Sequence, residues 1–265
     1  MYLSIVIPVF NESAIVLALM AEIESCLCNE KFTYEVVWVD DASTDGTSEQ
    51  LLQLASQCPR AIYVKHHRRG GQSNALRSGM ENAHGEIFVT MDGDGQNDPR
   101  DILTLLDHLE HCNLVIGQRN SRKDRLAKRV FSMIANAVRC WATSSTVGDS
   151  GCSMRAFRKD DAKICRIDFQ GWHRFLVTLV ELNRGKVCVV PVTHRPRRAG
   201  NSKYGVLRRG VICMFDGIAI SWLRFRRMAI SDCEVSVVRG AIAPPDCGIT
   251  AHSVNEVAIS TSKTA

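Results

Sequence analysis

The stretch GEIFVTMDGDGQNDP, Gly85 to Pro99, decides how this chain is to be read. GEIFVT is apolar and rich in strand formers, the mark of a short buried strand. MDGDGQNDP then sets Asp92 and Asp94 on either side of Gly93, with Gly95 and Pro99 close behind. Successive side chains on an extended chain point to opposite sides. The question is why two carboxylates stand so close at the mouth of a strand. One reading is an ordinary Asp-Gly turn. The other is a pair of oxygen ligands for a hard cation such as Mg²⁺ or Mn²⁺.

Outward from that stretch, apolar strand-like runs alternate with helical periodicity. Strands are expected at Leu3 to Val9, Tyr34 to Val39, Ala61 to Lys65, Glu86 to Met91 and Leu114 to Gly117. Helices are expected between them, at Glu12 to Cys28, Thr44 to Ser56, Gly71 to Ala83 and Pro99 to Leu109. The alternation predicts an α/β fold with a mostly parallel central sheet and helices on both faces. Ligands of such sheets bind beyond the carboxyl ends of the strands. The polar clusters PVFNE, DDAS and DGDGQ all fall there. After Gly117 the rhythm changes. A basic amphipathic helix is expected at Lys123 to Trp141, a strand at Cys152 to Phe157, a helix at Trp172 to Asn183 and a strand at Val187 to Val192.

With 265 residues, 45% of them hydrophobic, the chain can bury a sizeable core. The net charge of +5 is only mildly basic. No aromatic platform or recognised motif accompanies it, so a nucleic-acid partner is not expected. The 11 cysteines are scattered without CxxC pairs. They read as mostly buried small apolar residues in a reducing compartment. No signal peptide is visible, and no apolar run reaches the ~20 residues of a membrane span.

Several clusters carry chemistry. A cation on Asp92 and Asp94 can clamp a diphosphate and neutralise it as it leaves. Asp40 and Asp41 end the second strand, where a carboxylate takes ribose hydroxyls or base donors. Helix capping by Asp41, Ser43 or Thr44 is the plainer alternative. PVFNE, Pro8 to Glu12, contains neither GxGxxG nor GxxxxGK[ST]. Phosphates must then be held another way, which again points to a metal.

SIVIPVFNE, VVWVDDASTDGT, GGQSNALRSGMENAHGE and VTMDGDGQNDP occur in this order and spacing. The set resembles the family-2 glycosyltransferases of GT-A (nucleotide-diphospho-sugar transferase) fold, from residue 2 to about residue 227. The resemblance implies that Pro8, Phe10, Asn11, Glu12 and Asp41 surround the base and ribose of a nucleoside-diphosphate sugar. It implies that Asp92 and Asp94 hold Mg²⁺ or Mn²⁺ and the diphosphate, with Gln96 beside them as a further metal-site residue.

The second half narrows the branch. Transfer to a sugar hydroxyl needs a general base, and that branch usually shows a Glu-Asp pair opening a late helix. Here GWHRFL, Gly171 to Leu176, stands in that place. GDSGCSMRAF, GWHRFL and HRPRRAGNSKYG look instead like the polyprenyl- and dolichyl-phosphate branch, whose acceptor is a lipid phosphate. Its second pKa is about 6, so it is already an anionic nucleophile and no base is required. Cations to gather two anions are required. Arg119, Arg122, Lys123, Arg125, Lys128 and Arg129 form one basic group, and Arg195, Arg197, Arg198 and Lys203 another. Asp94, Gln96, Arg119, Arg129 and His173 are the expected catalytic set. Arg197, Arg198, Ser202 and Lys203 are the expected acceptor-phosphate loop.

The domain expectation follows: a catalytic domain over 1–203, an amphipathic helix at a membrane interface over 204–227, and a poorly ordered tail over 228–265. Val211, Phe215, Ile218 and Trp222 form the apolar face of that helix, flanked by arginines. The expected location is the cytoplasmic face of a membrane, held peripherally, with a separate transmembrane partner as one means of anchoring. The rival readings are transfer to a glycan hydroxyl with His173 or Asp149 as base, and a non-catalytic nucleotide-sugar-binding subunit of a membrane complex.

Overall fold

The computed structural model describes residues 2–119, 152–162 and 171–196. The expected helices at Lys123 to Trp141 and Tyr204 to Arg227, the tail, and Arg129, Asp149, Arg197, Arg198, Ser202 and Lys203 lie outside the described residues.

Central strands declare themselves by burial on both faces. β1 (Tyr2–Val9) and β2 (Thr33–Asp40) are buried along nearly their whole length, as is β4 (Ile87–Thr90). β3 (Ala61–Lys65) is only half-buried, and β7 (Val187–Val192) alternates between exposed and buried residues towards its end. These two are the sheet edges. With β5 (Leu114–Arg119) and β6 (Arg155–Arg158), the order among the described residues is β3-β2-β1-β4-β6-β5-β7. β1 pairs in parallel with both β2 and β4, and β5 in parallel with β7. β6 runs antiparallel between β4 and β5. The chain builds outward from β1 to β3, then crosses back to place β4 on the other side of β1. That reversal makes a crevice at the carboxyl ends of β1 and β4, where doubly wound sheets bind ligands.

The helices α1 (Val16–Leu27), α2 (Thr47–Gln57), α3 (Gln72–Glu81) and α4 (Asp101–His108) lie where periodicity places them, but begin later than expected. Side chains explain the first two delays. Asp45 accepts from the Ser13 amide at 3.2 Å and the Ser13 hydroxyl at 3.0 Å. Thr47 Oγ1 accepts from the Glu12 amide at 3.0 Å, and Asn11 Oδ1 from the Thr44 amide at 2.8 Å. The loops after β1 and β2 are thus bonded to each other rather than wound into the following helices.

The expected helix at Trp172 to Asn183 is split. A short 3-10 turn (Trp172–Arg174) is followed by α5 (Leu176–Leu182). A buried Arg155 donates to the His173 carbonyl, and that contact occupies an acceptor near the break.

The cysteine expectation is corrected. Cys112 and Cys188 are joined as a disulfide, with Cα atoms 6.0 Å apart. Cys28 is exposed, and Cys26 and Cys58 are half-buried. The pairing arises because β5 and β7 are neighbours, which spacing along the chain does not reveal. Among the described residues no helix is long and apolar enough to cross a membrane.

At the opposite end of the sheet from the crevice, Glu35 is buried in β2. It accepts from Tyr2 Oη at 2.7 Å, Ser4 Oγ at 2.5 Å and the His84 amide at 2.6 Å. Burial works to raise its carboxyl, but the bonds from Ser4, Tyr2 and His84 outweigh that and hold it below the usual carboxylate value. Glu35→Leu strands these donors and is expected to cost about 3 kcal/mol in urea unfolding at neutral pH. A depressed pKa contributes stability above the unfolded-state value and loses it as pH falls through the folded one. The gap between wild type and variant is therefore expected to narrow in acid, below the carboxylate range.

Candidate active site

The turn after β4 is shaped by two glycines. A Cβ on Gly93 would stand 2.4 Å from Val9 Cγ1, so only glycine lets the turn lie against the end of β1. Gly95 has φ of +72°, a left-handed conformation that glycine adopts without strain. Asp94 lies between them, nearly buried, and its Oδ1 accepts from the Gln96 amide at 3.1 Å. The Asp92 amide donates to Asn97 Oδ1 at 2.9 Å, and Gln72 Nε2 donates to Asp92 Oδ1 at 3.0 Å. Burial, and then the neighbouring Asp94 carboxylate, push the Asp92 carboxyl upward. The Ser153 hydroxyl and the charges of Arg119 and Arg155 oppose that rise. A buried carboxyl pushed up by desolvation and by a neighbouring carboxylate, as Asp92 is, is one that a divalent cation would relieve.

The donor set fits such a cation. It is made of hard oxygen ligands, as Mg²⁺ and Mn²⁺ prefer. Among the described residues no group of three or more His, Cys, Asp or Glu side chains is placed to hold an ion. Two carboxylates alone leave most coordination positions to be filled by phosphate oxygens and water, the usual way Mg²⁺ is held.

The residues expected on the nucleotide side lie at the carboxyl ends of β1 and β2, beside the same crevice. Pro8 lies in β1, paired with Val39. Phe10 follows it, and the Arg69 guanidinium carbon stands 3.9 Å from the centroid of its ring. Asn11 is left-handed, with φ of +55°, and bridges to the β2–α2 loop through Ser43 and Thr44. Glu12 is buried. Asp41 precedes Ala42, whose φ of +63° costs an L-residue about 1 kcal/mol. Its carboxylate accepts from the Gly70 amide at 2.7 Å and the Gly71 amide at 2.8 Å, and meets His66 Nδ1 at 2.9 Å. Asp41 is therefore an organiser of the loop before α3 in addition to any contact it makes with a ligand.

Arg119 ends β5 at the same edge, and its charge acts on Asp92. His173 is buried, with Nδ1 2.8 Å from Ser73 Oγ. Gln96 Nε2 lies 3.3 Å from both His194 Nε2 and the Arg195 carbonyl, which joins the carboxylate turn to the segment after β7. Arg195, expected among the anion-gathering cations, here bridges Glu22 and Asp98 at 2.7 Å each. Hydrogen bonding from Arg100, aided by Arg195, holds the Asp98 carboxyl down at about 2. Sequence reading missed Gln72, Ser73, Asn97, Ser153 and Arg155. They lie within the stretches GGQSNALRSGMENAHGE, VTMDGDGQNDP and GDSGCSMRAF, but their roles come from contacts made across the fold.

The fold is that of the nucleotide-diphospho-sugar transferases called GT-A. The sequence model of glycosyl transferase family 2 matches residues 4–163, and the chain belongs to that family. It is 33% identical over 212 residues to a dodecaprenyl-phosphate galacturonate synthase of Rhizobium johnstonii, covering 78% of this chain and 62% of the relative. It is 32% identical over 208 residues to an undecaprenyl-phosphate 4-deoxy-4-formamido-L-arabinose transferase of Photorhabdus laumondii, covering 77% and 63%. The chain thus spans less than two thirds of the length of these relatives. Among solved structures it is similar to glucosyl-3-phosphoglycerate synthase of Mycobacterium tuberculosis in complex with Mn²⁺, UDP and glucosyl-3-phosphoglycerate. That likeness has a TM-score of 0.62 at 21% identity and covers 84% of this chain and 79% of the other. A mannosyltransferase of Pyrobaculum calidifontis in complex with GDP-Man and Mn²⁺ gives 0.60 at 20%, covering 84% and 64%. At these identities the structural likeness is one of fold.

Arg195→Met removes the cation that braces Asp98 against Glu22. It is expected to cost about 2 kcal/mol of stability at pH 7, as for a partly buried pair losing one member. Because the folded Asp98 pKa is depressed, the cost is expected to shrink as pH falls towards 2 and the carboxylate is neutralised. Urea unfolding at several pH values measures both.

Proposed function

We propose that this protein transfers a sugar, with inversion, from a nucleoside-diphosphate sugar to a polyprenyl phosphate at a membrane surface. The observation that carries the reading is the Asp92–Asp94 turn, folded against the end of β1 beside Phe10 and Asp41 at the reversal point of the sheet. The names of the relatives, dodecaprenyl- and undecaprenyl-phosphate sugar transferases, support the acceptor class.

In this reading Phe10 offers an aromatic face to the base, and Asn11, Glu12 and Asp41 shape the pocket for base and ribose. Asp92 and Asp94 hold Mg²⁺ or Mn²⁺, with Gln96 completing the turn. When bound, the cation supplies positive charge against the departing diphosphate. The acceptor phosphate is already ionised near neutral pH, its second pKa being about 6, and attacks the anomeric carbon in line without help from a protein base. Arg119 adds positive charge from the end of β5. Arg129 and the loop residues Arg197, Arg198, Ser202 and Lys203 gather the two anions and exclude water. His173, held by Ser73, positions its neighbours. The protein works peripherally on the cytoplasmic face, through the apolar and basic segment 204–227 or a separate transmembrane partner.

The test is transfer of radiolabelled sugar to a short polyprenyl phosphate, across UDP- and GDP-sugars, with and without Mn²⁺. Wild type is expected to give a labelled lipid that disappears on chelation, and Asp94→Ala to lose at least about 100-fold in rate. Measurable nucleotide-sugar binding with no lipid product from any donor would overturn the acceptor assignment and direct the search to glycan hydroxyls.

A further inference from the structure

The first residues of α3, with the two before them, touch three parts of the site at once. Asp41 accepts from the amides of Gly70 and Gly71 at 2.7 and 2.8 Å. Gln72 Nε2 donates to Asp92 Oδ1 at 3.0 Å. Ser73 Oγ lies 2.8 Å from His173 Nδ1 and accepts from the Gly171 amide at 2.7 Å. His66 closes the set from behind, with Nδ1 2.9 Å from Asp41 and Nε2 2.9 Å from Ser78 Oγ. Four consecutive residues therefore tie the nucleotide-side carboxylate, a metal-side carboxylate and the buried histidine into one network. The segment GGQS carries no charge and opens the stretch GGQSNALRSGMENAHGE.

A carboxylate with two equivalent oxygens and a rotating χ2 must be held if one oxygen is to face a cation. The bond from Gln72 fixes Oδ1 of Asp92, and Asn97 fixes the backbone of the same residue. Partners of this kind orient ligands and tune their affinity for metal. We infer that Gln72 is a positioning residue for the divalent cation: it sets the orientation of Asp92. It is in turn placed by the grip of Asp41 on Gly70 and Gly71, so the nucleotide and metal halves of the site are mechanically joined through the start of α3. This inference rests on the reading of Asp92 as a metal ligand.

Mn²⁺ binding to the full-length protein, followed by electron paramagnetic resonance with UDP or GDP present, tests it without requiring turnover. Gln72→Met keeps the length and apolar stem of the side chain but cannot donate. It is expected to weaken Mn²⁺ binding about 10-fold, the lower end of what loss of a second-layer partner costs. Affinity for the metal-free nucleotide, read by calorimetry, is expected to stay within about twofold of wild type, which a merely unfolded variant would not show. Gln72→Lys sets an ammonium beside Asp92 and is expected to weaken Mn²⁺ further than the Met variant. Unchanged Mn²⁺ affinity in Gln72→Met, with normal binding by wild type, would overturn the inference alone. Absence of Mn²⁺ binding by wild type in the presence of either nucleotide would overturn the metal site itself, and the inference with it.

Discussion

Asp92 and Asp94 are two like charges held two residues apart in a largely buried turn, and the site is arranged around that constraint. Burial first, and then repulsion from the Asp94 carboxylate, push the Asp92 carboxyl upward. The arrangement persists because the turn is fixed on several sides. Gly93 packs against Val9, Asn97 takes the Asp92 amide, Gln72 takes its carboxylate, and Gln96 closes back on Asp94. Arg119 and Arg155 supply positive charge without displacing the pair. Two carboxylates held in this way form an oxygen donor set that suits a small, hard cation, the occupant proposed for the site.

The same economy of parts governs the loops. The connections after β1 and β2 do not stand as independent fingers. Asn11, Ser13, Asp45 and Thr47 bond them into one body. The left-handed backbones of Asn11 and Ala42 sit within it, where the surrounding bonds can hold them. On the far side of the turn, Arg195 bonds α1 to Asp98, and its amide donates to the Gln96 carbonyl at 2.8 Å. A ligand in the crevice thus meets a wall set in advance rather than one that it must organise.

Much of this was legible in the sequence. The strands β1, β2, β3 and β7 follow from apolar runs, because burial on a sheet demands such runs whatever the tertiary details. The carboxylate turn was legible because glycine and aspartate cluster after one of those runs. The starts of α1 and α2 were not, because Ser13 and Thr44, expected within the first turns of those helices, are bonded to the neighbouring loop instead. The break at Phe175 was hidden for a similar reason, since an arginine on β6 takes a carbonyl from the turn before it. Gln72 and Ser73 act on residues 20 and 100 positions away, and only the folded sheet brings them together. The Cys112–Cys188 link likewise depends on strand order, not on spacing.

The central claim is that Asp92 and Asp94 hold a divalent cation against the donor diphosphate. The most direct measurement is the anomalous scattering of Mn²⁺ in crystals of the protein soaked with UDP or GDP, whichever binds. The account predicts one strong peak at coordination distance from the Asp94 carboxylate, with diphosphate oxygens on its other side. A well-ordered nucleoside diphosphate in the crevice with no peak at that turn, or with its phosphates held only by arginine and lysine, would contradict it.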